Sequence, residues 1–143
     1  MADKTFHIEI VTPREQVFSG EVSLATVPGV VSPFQVLVNH APILTQLEVG
    51  DIRVVTESGQ ELHFATSGGF VEMKNNRMTV IAETAELASG IDADRAERAY
   101  QRAQERVTDV RRTRNSAIDM VRAEAALARA TNRLKVAGRG VPG

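Results

Sequence analysis

The sequence predicts an α+β protein in which an all-β sandwich or barrel is followed by a carboxyl-terminal antiparallel two-helix hairpin. Two observations lead to this prediction. The first part of the chain contains short alternating segments of apolar and polar residues, with turn signals about every 8–12 residues. From Glu83 onward the apolar residues recur about every 3.5 positions, the spacing of packed helices. We place the boundary near residues 88–90, which gives domains 1–88 and 89–143.

The first strands are predicted from alternation between Thr5 and Val38. Residues 5–12 place apolar side chains at every second position and end at Pro13, which indicates a half-buried strand. Val17 and Phe18 predict a short second strand that Ser19-Gly20 closes. Two further short strands are predicted, at residues 22–26 and 34–38.

Two β-hairpins are predicted from apolar runs on either side of polar turns. The strands of the first are Ile52–Thr56 and Glu61–Thr66, and those of the second are Phe70–Met73 and Arg77–Ile81. Between the hairpins, Ser67-Gly68-Gly69 indicates a turn or bulge.

The last third of the chain predicts two helices that pack along heptad-like stripes. The first stripe is Ala96, Tyr100, Ala103, Val107 and Val110, and the second is Met120, Ala123, Leu127, Ala130 and Leu134. Asp92 is a suitable amino-terminal cap for the first helix, and Gly138 is expected to end the second. Asn115 and Ser116 predict the turn and the new helix start between them.

The composition of the hairpin has two consequences for function. Alanine holds four of the ten stripe positions, and a buried methyl contributes much less than a buried leucine, so we expect weak docking on any surface. Arginines flank both stripes: Arg95, Arg98, Arg102 and Arg106 on the first helix, and Arg122, Arg129 and Arg133 on the second. They form either a solvated face with intrahelical ion pairs or a surface that meets an acidic partner or a phosphate.

The charge is divided between the two parts of the chain. Residues 1–91 carry 5 Lys and Arg against 11 Asp and Glu, whereas residues 92–143 carry 12 against 7. An acidic part followed by a basic part suggests two modules with different partners, which could also attract each other. The polar start of the chain predicts no signal sequence, and no run approaches the roughly 20 apolar residues of a membrane span. Membrane association is therefore expected only through a partner.

The sequence predicts no catalytic residues and no metal site. The chain has no cysteine, and its three histidines, His7, His40 and His63, fall on different predicted elements. We interpret His7 and His63 as surface or cross-strand residues and His40 as a buried, hydrogen-bonded structural residue. Two other functional classes stay open from the residues alone: a nucleic-acid-binding module that uses the basic hairpin, and a small enzyme on the β-domain. Scarce aromatic residues argue against the first, since little is available for base stacking.

Several motifs give the chain a family resemblance. Asn39, His40, Ala41 and Pro42 lie in Val-Asn-His-Ala-Pro-Ile-Leu, Gly68 and Gly69 in Ser-Gly-Gly-Phe-Val-Glu, and Ile-Asp-x-x-Arg-Ala begins at residue 91. In this order and spacing they resemble the ε subunit of bacterial-type F-type ATP synthases, in register along almost the whole chain. Residues 30–33 and Val38 depart from the usual glycine-rich turn and proline, which affects the expected loop shape.

The resemblance implies a non-catalytic subunit of the central stalk, or rotor, with no required cofactor. The sandwich would bind the γ subunit and the membrane rotor ring of c subunits, at the cytoplasmic face of a bacterial membrane. The hairpin would either fold on the sandwich or extend along γ. Extended, it would bring arginines such as Arg98, Arg102, Arg106 and Arg122 to an acidic loop of the catalytic β subunit and inhibit ATP hydrolysis. No nucleic-acid partner is implied.

The resemblance also implies a regulatory ATP site on the folded hairpin. The matching residues are Glu86, Asp92, Arg95, Arg129 and Arg133. Guanidinium groups pair well with phosphate, and Asp92 could accept a hydrogen bond from an adenine amine. The alternative interpretation is structural, because Asp92 is also a good helix cap and an arginine in a first helical turn is ordinary.

Overall fold

The computed structural model describes residues 4–113 and 117–139. Over these residues it confirms the predicted fold, an amino-terminal sandwich followed by two antiparallel helices. The strands are β1 Phe6–Val11, β2 Gln16–Val27, β3 Phe34–Leu37, β4 Ile43–Leu47, β5 Gly50–Thr56, β6 Glu61–Thr66, β7 Gly69–Lys74, β8 Arg77–Ala82 and β9 Ala85–Leu87. A 3-10 turn at Ala88–Gly90 leads to the helices α1 Ala93–Thr113 and α2 Ala117–Arg139.

The strands pair in the order β4-β7-β8-β1-β2-β5-β6-β9, and β3 pairs with the far end of β2. β1 is parallel to β8, and the other named pairs in the described part of the chain are antiparallel. The segment after β2 returns to the end of β4, where Val30 N donates to Gln46 O at 3.1 Å and Glu48 N donates to Pro28 O at 2.9 Å. These bonds join the two layers at one side of the sandwich.

The core lies between the layers and consists of the alternate residues that the sequence pattern turns inward. Its largest fully buried side chains include Phe6, Ile8, Ile10, Ile52, Phe64, Met73 and Met78. Every buried residue of this cluster lies on a strand, so no described residue of the hairpin is among its buried members. The sandwich therefore has a hydrophobic core of its own.

The prediction of two short strands around Ser19-Gly20 was wrong, since β2 is one continuous strand. Ser19 pairs with Glu9 and Gly20 with Ile8, so the ladder to β1 runs through both residues. A Cβ on Gly20 would lie 3.3 Å from the Phe18 ring, so this glycine makes room for an aromatic neighbour rather than ending the strand. Register shifts lie on either side of these two residues, between β1 and β2 at Ile10–Val11 and between β2 and β5 at Val22–Leu24.

Two boundaries of the helical part also differ from the prediction. The helical pattern was expected from Glu83, but Ala85–Leu87 forms β9 against β6. Gly138 does not end the second helix, because α2 continues through Arg139. Val136 and Ala137 are 0% and 4% exposed, and their burial holds the last turn helical against the weak propensity of glycine. The predicted turn at Asn115 and Ser116 lies outside the described residues.

Candidate functional site

The start of α1 is fixed by Asp92. Its Oδ1 accepts a hydrogen bond from Arg95 N at 3.0 Å, and its carbonyl oxygen accepts from Ala96 N at 2.9 Å. This is the geometry of a helix cap, and it satisfies an amide that the helix itself leaves without an acceptor. The side chains of Asp92 and Arg95 are both exposed.

The hairpin contacts the sandwich through its base. The carboxyl-terminal part of α2 lies against β6, β5 and the 3-10 turn. The apolar cluster at this contact consists of Ala65, Ala88, Ile91, Ala96, Val136 and Ala137, with Leu134 packed against it. Four of its six buried members are alanine, and each buried methyl contributes little apolar area to the docking contact.

A cavity of about 290 Å³ opens beside this contact, between α2 and the ends of β6 and β9. Three residues of the predicted ATP site line it: Glu86, Arg129 and Arg133. The remaining polar lining comes from Thr66, Ser67, Thr84 and Asn132. Asp92 and Arg95 are not part of the lining that the structure describes, so the fold brings together three of the five predicted residues.

Charged and hydroxyl groups dominate this cavity. Arg133 donates from Nε to Glu86 Oε1 at 2.8 Å and from Nη2 to Glu86 Oε2 at 3.1 Å, a two-point ion pair between α2 and β9. Thr84 Oγ1 donates to Ser67 Oγ at 2.7 Å, and the Arg129 side chain is exposed. Two guanidinium groups and several hydroxyls around one cavity suit an anionic, hydrogen-bonding ligand such as a phosphate.

Asn132 also lines the cavity, although its role was not predicted from the sequence. Its side-chain Nδ2 donates to Gly50 O at 2.8 Å, and it lies 3.5 Å from Thr66 O. Gly50 and Thr66 are paired across β5 and β6, so one amide group bridges the ends of both strands. The available signal was a polar residue next to Arg133, but a helical pattern alone does not distinguish such a contact from a solvated asparagine.

The other arginines of the predicted partner surface remain accessible. Arg98, Arg102 and Arg106 on α1 and Arg122 on α2 are all exposed. The seam between the helices follows the predicted stripes, with Val107, Val110 and Ala123 buried. The folded hairpin thus presents these four arginines away from its own packed seam.

The residues of the two family motifs shape the turns of the sandwich. Asn39 has a φ of 63°, and it exchanges two hydrogen bonds with Asn76: Asn39 N donates to Asn76 Oδ1 at 2.7 Å, and Asn76 Nδ2 donates to Asn39 Oδ1 at 2.9 Å. Ala41 and Pro42 continue this turn as exposed residues. His40 is partly exposed rather than buried, and its Nδ1 lies 2.7 Å from Ala41 O.

Gly68 and Gly69 have φ values of 115° and 149°. A Cβ on Gly69 would lie 2.1 Å from Ile81 O, so only glycine fits between the strands at this position.

The two other histidines lie in polar clusters across the strands. His7 lies 3.1 Å from Glu21 Oε1, and His63 Nδ1 lies 2.7 Å from Asp51 Oδ2. Glu61 pairs with Arg53, and that hydrogen bond lowers the pKa of the Glu61 carboxyl below its ordinary value of 4.5. In the described ranges, no group of three or more His, Cys, Asp or Glu residues is arranged to hold a metal ion. Likewise, no helix described for this chain is long and apolar enough to cross a membrane.

The fold and the cavity define a class of protein in which a β-sandwich carries a docked helical hairpin. Residues 5–88 match the family model described as ATP synthase, Delta/Epsilon chain, beta-sandwich domain. Residues 89–138 match the model described as ATP synthase, Delta/Epsilon chain, long alpha-helix domain. The chain therefore belongs to the ATP synthase delta/epsilon chain family, and the resemblance inferred from the motifs is confirmed.

Relatives of similar length place it with the epsilon chains of bacteria. It is 45% identical over 134 residues to the ATP synthase epsilon chain of Desulforamulus reducens, covering 94% of this chain and 98% of that protein. It is 42% identical over 135 residues to the epsilon chain of Halalkalibacterium halodurans, with coverage of 94% and 98%. These matches support the expectation of a non-catalytic subunit of the synthase.

The fold also matches a chain in the mitochondrial ATP synthase of Euglena gracilis, solved as an OSCP/F1/c-ring structure. The TM-score is 0.78 at 18% sequence identity, and the match covers 91% of this chain and 79% of that one.

Proposed function

We propose that this chain works in the central stalk of an F-type ATP synthase, where it couples proton translocation to ATP synthesis and inhibits ATP hydrolysis through its hairpin. Full-length similarity to bacterial epsilon chains supports the assignment to the stalk. The proposal places the chain at the cytoplasmic face of the bacterial membrane, held there by the complex. Its division into a sandwich of residues 1–88 and a regulatory hairpin of residues 89–143 is part of the same proposal.

The observation that carries the inhibitory part is that, within the described residues, the apolar cluster that joins the hairpin to the sandwich lies at the hairpin base. A separate apolar cluster, Val107, Val110 and Ala123 with Met120 and Leu127, is made entirely within the hairpin. The hairpin can therefore leave the sandwich and keep this part of its seam. An element with a small docking area and its own packing is suited to move as a unit.

The two modules then have different partners. The outer face of β4, β7 and β8 exposes Leu44, Phe70 and Ile81, and the last two are paired across β7 and β8. An exposed apolar face of this kind suits a protein contact, which we assign to the γ subunit or the rotor ring. The exposed arginines of the hairpin suit the acidic loop of the catalytic β subunit, which only the extended hairpin would reach.

Hydrolysis by the reconstituted complex tests this function. We expect removal of residues 89–143 to raise the ATP hydrolysis rate, because the inhibitory contact is lost. Replacing Arg98, Arg102, Arg106 and Arg122 with alanine in the full chain should raise it as well. The matched control is replacement of Arg111 and Arg112, also exposed near the end of α1. If removal of the hairpin leaves the hydrolysis rate unchanged, the proposed inhibitory role is wrong. The proposed coupling role is not affected by that result.

Regulatory ATP binding is the second part of the proposal. We place the phosphates against Arg129 and Arg133 in the cavity, with Glu86 at its edge. Asp92 and Arg95, which lie outside its described lining, would join through the adenosine part. Titration of the full chain with ATP should shift the amide resonances of these residues together. Arg129→Ala should weaken binding, whereas Arg122→Ala, also exposed on α2, should not. The absence of any shift in these amide resonances at millimolar ATP would contradict the proposed ATP site.

A further inference from the structure

Among the described residues, the side chain of Asn132 links the folded hairpin to backbone carbonyls of the sandwich. This residue is partly buried on α2 at the hairpin base. Its Nδ2 donates to Gly50 O at 2.8 Å and lies 3.5 Å from Thr66 O, the carbonyls at the paired ends of β5 and β6. The geometry is directional, because the amide must face the strand ends for either contact to form.

The hydrogen bond of Asn132 matters for docking because the apolar contact at the hairpin base is small. The docking cluster is mostly alanine, so the area it removes from water is modest. The ion pair of Arg133 with Glu86 is a second polar link at the base, a two-point contact between side chains that are 31% and 41% exposed. Asn132 differs from this pair because its amide ends on backbone carbonyls, so its hydrogen bond fixes where α2 lies on the ends of β5 and β6.

We propose that Asn132 is a latch that sets the balance between the docked and the released hairpin. This inference rests on the proposed function, in which the hairpin is a regulatory unit. It adds the side chain that controls the release of that hairpin. The carboxamide is required because its N–H group donates a hydrogen bond to carbonyl oxygens. A carboxylate of the same shape would instead bring negative charge against them and undock the helix.

The test uses Asn132→Asp in the full chain, with Thr131→Asp as the matched control. The control adds the same charge one residue away, at an exposed position. Because the chain has no cysteine, spin labels can be placed at Glu57→Cys in the β5–β6 turn and at Ala117→Cys at the start of α2. The distribution of distances between the labels reports whether the hairpin is docked.

We expect a single narrow distribution for the unsubstituted chain and for Thr131→Asp. For Asn132→Asp a broad second component should appear, with the ratio of released to docked hairpin raised about tenfold. Amide exchange in β1 and β8 shows whether the sandwich stays folded. If Asn132→Asp disturbs it, Asn132→Ala replaces that variant, and the same broad component is expected.

A narrow distribution in every folded Asn132 variant would overturn the latch, as would equal release by Thr131→Asp. Hydrolysis in the reconstituted complex separates this result from the proposed function. If Asn132→Asp releases the hairpin without changing hydrolysis, the latch holds and the inhibitory role fails. If the hairpin stays docked, the latch fails whatever the hydrolysis rate.

Discussion

Single residues on the outer face of β5 and β6 show how charge is placed in this sandwich. Glu61 lies beside Arg53, and His63 Nε2 is 3.3 Å from Glu61 Oε1. The pKa of Glu61 is lowered first by its hydrogen bond to Arg53, and the charges of Arg53 and His63 add to the effect. A carboxyl with a lowered pKa in the folded state stabilises that state while it is ionised.

This gives a prediction for acid stability. The contribution of Glu61 is complete above its ordinary pKa of 4.5 and is lost as the pH falls through the lower pKa of the folded state. Glu61→Gln should therefore lower the urea midpoint at pH 7, and the difference from the unsubstituted chain should shrink in acid. Urea unfolding at a series of pH values measures the midpoint at pH 7 and the change of this difference with pH. Glu57→Gln, in the exposed turn between the same strands, is the control. A difference that stays constant with pH would contradict the assignment.

At the scale of elements, the strands and helices that follow from local residue spacing were predicted from the sequence. The alternation of Phe6, Ile8 and Ile10 gave β1, and the heptad-like stripes gave the helix seam, because each pattern follows directly from the geometry of one element. The misassigned elements are those that tertiary contacts decide. Gly20 continues β2 because β1 pairs with it, and Gly138 stays helical because Val136 and Ala137 are buried on the sandwich. The contact of Asn132 with two strand ends joins residues 66 and 82 positions apart, and no local pattern contains it.

The cap of α1 gives a prediction at the same scale. Asp92 accepts a hydrogen bond from Arg95 N, so Asp92→Ala should destabilise the first turn of α1 by about 1 kcal/mol. Asp92→Asn should destabilise this turn much less, because asparagine is an equally good cap. Hydrogen exchange of the α1 amides measures the loss, with Asp94→Ala, exposed in the first turn, as the comparison. Equal exchange rates for all three variants would mean that the cap contributes nothing. Asp92 would then be available for the role in ATP binding proposed above.

At the scale of the molecule, the buried apolar residues of the described ranges fall into three clusters that share no residue. The largest belongs to the strands, the second joins the hairpin base to the sandwich, and the third lies within the hairpin. The charges follow the same division, since the strands lie in the acidic part of the chain and the helices in the basic part. A domain whose core is complete without its neighbour is expected to fold alone.

We therefore predict that residues 1–88 fold without the hairpin. Every buried member of the large cluster, from Phe6 to Ala85, is retained. Of the apolar residues in the docking cluster, Ala65 and Ala88 belong to this fragment and lose their cover from the helices. The fragment should unfold cooperatively in urea and keep the amide spectrum of the sandwich away from β5, β6 and β9. Residues 89–143 alone should be only partly helical, because isolated helices are marginal in water and the seam between these two is mostly small residues. Circular dichroism of the two fragments tests both statements. If residues 1–88 are unfolded on their own, the hairpin is an integral part of the fold, and it could not be released from the sandwich as a separate regulatory unit.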